Sequence, residues 1–136
     1  MFKILYHLIA IQRQAKEIHY RAKGFEFYSD HLLADRIYDG IEDLIDEIQE
    51  NYFLGKEEEA PSQKDLLIYA AEEVNDASGD IRLDFGHLDS IIMACITDIE
   101  MILEEDKDLT GGDNDLLGRI CSDLQKKHGF IVRRLK

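Results

Sequence analysis

A chain of 136 residues suffices for one domain, 1–136, with a single sizeable core. Its formal charge of −13, from 16 basic against 29 acidic side chains, argues against binding nucleic acid, because phosphate contacts need clustered Lys and Arg; cations are the better partners. With 45% hydrophobic residues, a single proline and no run of about twenty apolar residues, the chain reads as all-α and without a membrane span. The opening MFKILYHLIAIQ lacks a small-residue cleavage site and continues into charged helical sequence, so a cytoplasmic protein is expected.

Residues 2 to 22 place Leu5, Leu8, Ile11, Ala15 and Ile18 at helical spacing, and Lys23-Gly24 reads as a stop. From about Phe25 to Phe53, Ala34, Ile37, Ile41, Leu44 and Ile48 recur in steps of three and four, which predicts a second, unbroken helix with a narrow apolar stripe. GKEEEAPSQ then breaks the pattern. A short helix from about Lys64 to Val74 and the loop NDASGD form an insert before the third long helix, whose stripe runs Leu88, Ile91, Ile92, Cys95, Ile99, Ile102 and Leu103. EEDKDLTGGDND supplies a further break and an Asp or Asn N-cap for the last helix, from about Asn114, with Leu117, Ile120, Leu124, His128, Ile131 and Leu135 turned inward. Cys95 and Cys121 fall within apolar patterns and are expected to be reduced, buried thiols.

Glu-x-x-His motifs, which build a carboxylate-bridged site inside one bundle, are absent: three residues before His7, His19, His31, His87 and His128 stand Ile4, Lys16, Tyr28, Asp84 and Gln125. Paired Cys-x-x-Cys, a P-loop, a GxGxxG and a nucleophile elbow are absent too. The segment HLLADRIYDGIEDLIDEIQE instead carries two i,i+4 pairs, His31/Asp35 and Asp46/Glu50, whose leading members would lie about 16 Å apart along one helix. No single ion spans that distance. Taken at about 100° per residue from Ile41, the four fall between about 80° and about 180°, along one flank where a second subunit could pack. Two such helices packed antiparallel about a two-fold axis would join the His31/Asp35 end of one to the Asp46/Glu50 end of the other. Asp39 and Glu42 share that flank, so a solvated acidic face stands as the alternative.

The run HYRAKGFEFYSDHLLADRIYDGIEDLIDEIQE resembles the ferroxidase segment of the miniferritins, the DNA-binding proteins from starved cells (Dps). In that family a His-aromatic pair ends the first helix and is followed by a Gly-x-x-Phe turn, a His-x-x-x-Asp and an Asp-x-x-x-Glu. Here these are His19-Tyr20, Gly24 to Phe27, His31 to Asp35 and Asp46 to Glu50. The resemblance implies a ferritin-like four-helix bundle with a short helix in its B–C connection, assembled as a homo-oligomeric shell of twelve subunits. It implies iron as the metal and oxidation of Fe(II) by peroxide or oxygen, at sites taking His19, His31 and Asp35 from one subunit and Asp46 and Glu50 from its two-fold mate. Imidazole with carboxylate suits Fe(II). A bundle that forms a shell without catalysis, or that binds a redox-inert divalent metal, is the alternative.

Tyr20 stands where the family typically has Trp, and Gly129-Phe130 occupies the usual Trp-Met region. No Lys-rich arm precedes the first helix, so DNA binding is not expected. The five Lys and Arg of KKHGFIVRRLK are read as cations answering the helix dipole. Glu104, Glu105, Asp106, Asp108, Asp113 and Asp115 fall where family members line a three-fold iron-entry pore, a solvated loop being the alternative.

Overall fold

A computed structural model describes all residues, Met1–Lys136, and contains helices and no strands. In chain order the α-helices are α1 (Phe2–Arg21), α2 (Phe27–Tyr38), α3 (Ile41–Glu47), α4 (Gln63–Glu73), α5 (Ile81–Glu105) and α6 (Gly111–Leu135). A π-helical turn, Ile48–Phe53, and a 3₁₀ turn, Leu54–Lys56, follow α3 directly. The four long segments of the bundle are α1, the α2–α3 segment with its turns, α5 and α6; α4 lies in the connection between the second and third, as expected from the sequence.

Helix α1 packs against α2, α4 and α5, and α5 packs against α6. Leu5, Leu8, Ile11, Ala15 and Ile18 of α1 are buried with Phe85, Leu88 and Ile92 of α5 and Leu117, Ile120 and Leu124 of α6. Each large aliphatic or aromatic side chain so removed from water stabilises the fold by roughly 1.5–3 kcal/mol. Cys95 and Cys121 are free and buried, and burial raises both thiols above the usual cysteine range.

Three sequence expectations are corrected. The second helix is broken at Asp39–Gly40, where Asp39 is extended at ψ 132 and Gly40 takes φ +81, a left-handed conformation that favours glycine. Past the break the segment restarts at Ile41, with Ile45 rather than Leu44 buried, and its C-terminal part widens into the π turn. The last helix begins at Gly111, capped not by Asp or Asn but by Thr110: its hydroxyl accepts from the Asp113 N–H at 3.1 Å while the Asp113 carboxylate accepts from the Thr110 N–H at 3.0 Å.

Helix α6 runs antiparallel to the broken segment and is joined to it by four polar contacts. Arg134 pairs with the buried Asp30 at 2.8 Å, Lys127 Nζ donates to the Asp39 carbonyl at 2.7 Å, Arg119 pairs with Glu47 at 2.9 Å, and Lys56 pairs with Asp113. As one partner moves forward along the broken segment the other moves back along α6, which is the register of two antiparallel rods. These cations therefore do more than answer the helix dipole: Arg134 and Lys127, from the C-terminal basic run, are spent on Asp30, Asp39 and Asp123.

Helix α4 is fastened by histidines. The buried His7 lies between Glu73 of α4, 2.8 Å from Nδ1, and Asp98 of α5, 2.8 Å from Nε2, while His87 Nε2–H donates to the Glu73 carbonyl at 2.7 Å. His128, half-exposed, bonds Asp89 at 2.7 Å, in keeping with a satisfied edge histidine.

Candidate metal centre

Two histidines from different helices meet at the open end of α1. His19 lies in the last turn of α1, and Gly24, at φ +94, reverses the chain so that α2 brings His31 back alongside it. The imidazole rings stack with centroids 3.6 Å apart and planes 18° from parallel. His31 Nδ1 lies 2.7 Å from the His19 carbonyl, and His19 Nδ1 lies 3.0 Å from the His31 carbonyl. A carbonyl only accepts, so Nδ1 carries the hydrogen in both rings. One of these bonds also satisfies a carbonyl that the end of α1 leaves unpaired. The two Nε2 atoms make no hydrogen bond within the chain, and in the neutral ring each presents a lone pair of the kind a metal ion takes.

Asp35 sits one turn beyond His31 on α2, exposed, and its carboxylate is engaged by no ion pair or hydrogen bond in the chain. Asp46, in the last turn of α3, and Glu50, within the π turn, are likewise exposed and unpaired. By contrast Glu42, on the same flank by sequence, accepts from Gln12 Nε2 at 2.6 Å, and Glu47 is held by Arg119. Within one chain no three His, Cys, Asp or Glu side chains converge on a common ion position. His19 and His31 are thus brought together, Asp35 stands on the same helix as His31, and Asp46 with Glu50 forms a separate group beyond the break. The angular count that set the four helix-B ligands on one flank assumed a continuous helix, and that count does not hold across Asp39–Gly40 and the π turn.

Around the histidine pair the surface is apolar. Tyr20, 72% exposed, meets His19 edge-on at 5.1 Å, Phe27 tilts against His31 at 5.1 Å, and Phe25, Tyr28 and Leu32 are exposed nearby. An exposed apolar patch of this kind marks an interaction surface.

The acidic turn divides. Asp113 is removed from the expected pore lining: it is buried, closes the capping box and pairs with Lys56. Burial raises its carboxyl pKa, but hydrogen bonds from Lys56 and Thr110, with the Lys56 charge, outweigh this and hold it below the usual aspartate range. Asp115 pairs with Arg119, and Asp106 accepts from the Asp108 N–H. Sequence reasoning also missed Lys127. Its signal was present, since position 127 falls three residues after Leu124 and four before Ile131, on the apolar stripe where a cation calls for a partner.

No protein-family model matches the chain, and no curated protein matches it at the significance required. Among solved structures it is similar to a C-terminal deletion mutant of Mycobacterium smegmatis Dps, at a TM-score of 0.81 and 22% identity over 99% of this chain and 93% of that one. The chain therefore has the ferritin-like fold of Dps. No helix is long and apolar enough to cross a membrane.

Proposed function

We propose that this chain is an iron-oxidising miniferritin whose sites are shared across a two-fold dimer interface, with His19, His31 and Asp35 from one subunit and Asp46 and Glu50 from its mate. The observation that carries this is the histidine pair: two imidazoles locked by reciprocal bonds, each with Nε2 free, beside an exposed apolar surface. Two nitrogens and one carboxylate leave a hard ion short of oxygen ligands, and a second subunit placed antiparallel supplies Asp46 and Glu50. Iron is the substrate. Two Fe(II) ions each give up one electron, and peroxide takes both with two protons, its O–O bond breaking to give two waters; oxygen is the other candidate oxidant. The carboxylates stabilise Fe(III) as it forms, and a homo-oligomeric shell, a dodecamer by its likeness in fold to Dps, would retain the product. Duplex DNA is not expected to be bound at physiological salt, given the −13 charge and the intrachain pairing of Lys127 and Arg134.

The test asks who owns the site. His31→Ala and Glu50→Ala are each expected to be inactive as homo-oligomers. Co-expressed in equal amounts, about half the dimers are mixed and each mixed dimer has one site with both defects and one with neither, so roughly a quarter of the parent Fe(II) oxidation returns. No recovery in mixed shells verified by native mass would sink the shared-site proposal. Fe(II) uptake without ferric absorbance in the parent would instead favour a redox-inert metal site.

A further inference from the structure

We infer that Lys127 is a positioning residue for the shared iron site: from α6 it holds the break at Asp39–Gly40, and so fixes how the His31/Asp35 half-site stands relative to the Asp46/Glu50 half-site of the same chain. This rests on the functional proposal above and adds to it a side chain that touches no iron.

The break lies between the two half-sites, so its angle decides where Asp46 and Glu50 are carried. In a two-fold dimer both unions close together, and an error in that angle opens both sites at once. Something must hold the break, because an interrupted helix leaves a carbonyl without its N–H. No backbone N–H reaches the Asp39 carbonyl; Lys127 Nζ donates to it at 2.7 Å. The Lys127 side chain is only 3% exposed, and its other partner is Asp123. A desolvated ammonium is costly unless its acceptors are fixed, and it lies two turns before the end of α6, outside the last turn where the dipole acts. Without it, the Asp39 carbonyl gains most by continuing the helix to the N–H of Asp43, which would swing α3 toward the axis of α2. Gly40 opposes that from the other side, since its φ of +81 belongs to the break; with nothing within 4 Å of where a Cβ would stand, it is this backbone conformation and not crowding that favours glycine.

Two variants weaken the break independently: Lys127→Met removes the donor, and Gly40→Ala disfavours the left-handed backbone. Each is checked for helicity by circular dichroism and for assembly by native mass, then titrated with Co(II), whose visible absorption reports ligation without turnover. Folded, assembled variants are expected to bind Co(II) about tenfold more weakly or worse than the parent and to lose Fe(II) oxidation in step, whereas affinity within about twofold overturns the inference. If Lys127→Met does not fold, Gly40→Ala decides on the same criterion. Crystal structures supply a readout that needs no metal: α3 is expected to move relative to α2 in both variants, and an unmoved α3 refutes the positioning role. A parent that binds no Co(II) and oxidises no Fe(II) would bring down the functional proposal alone, leaving the hinge to be judged on those structures.

Discussion

Two segments of this bundle carry nearly the same hydrophobic pattern and are built differently. Helix α5 runs unbroken for 25 residues from Ile81 to Glu105, while residues 27–56, with apolar side chains at the same steps of three and four, are divided by Gly40 and then by the π turn. Periodicity determines which side of a segment faces the core. It does not determine whether the segment is continuous, because that depends on where each carbonyl finds its donor. In α5 the helix supplies its own donors. In the broken segment α6 supplies one of them, and polar contacts at Asp30, Asp39, Glu47 and Lys56 take the place of a continuous rod. Four of the five candidate ligands, His31, Asp35, Asp46 and Glu50, lie on the divided segment, the fifth, His19, ends α1, and none lies on α5.

If that contrast is right, damage to the straight helix should cost stability first and the site only through it. Phe85→Ala empties a fully buried position on α5 and is expected to lower stability by about 3–5 kcal/mol in urea unfolding, with Co(II) affinity retained wherever the variant is still folded. Loss of affinity in the folded variant would erase the distinction between the two regions. Removing the contact at the start of the broken segment comes next. Arg134→Met leaves the Asp30 carboxylate, 1% exposed, without its cation, and should cost roughly 3 kcal/mol; a variant as stable as the parent would show that α6 does not hold α2 through this pair.

The smallest effect is a pH dependence at the far end. The Asp113 carboxyl is held below its ordinary range, so its contribution is present at neutral pH, above the unfolded value near 3.9, and is lost as pH falls through the lower folded value. Asp113→Asn should therefore cost about 1 kcal/mol at neutral pH and converge with the parent in strong acid. Parallel stability curves for the two proteins below pH 4 would remove Asp113 from the account.

Much of this fold was legible in the sequence because helical stripes are a local signal: Leu5 to Ile18 and Leu88 to Ile99 face the core where spacing put them. The break was half-legible. Asp39-Gly40 is a turn dipeptide, but a glycine inside a helical pattern is often tolerated, and what tips the balance is a donor 88 residues away. The pairing of His19 with His31 was implied by the resemblance to the miniferritins, whereas their exchanged carbonyl bonds depend on the turn at Gly24 and had no one-dimensional signature. Asp113 was misplaced for a different reason. Thr110-x-x-Asp113 is a readable capping box, yet in a run of six acids composition obscured it.

The exchanged bonds of the histidine pair also decide when entropy is lost. Two imidazoles free to rotate would each have to be frozen by an arriving ion, which would weaken its binding. Here the rings are frozen when α1 and α2 fold, so the ordering cost, about 0.5–1.5 kcal/mol for an immobilised side chain, falls on folding rather than on the arrival of an ion. For the iron oxidation proposed above, in which the centre must empty and refill, every new ion would meet the same shape.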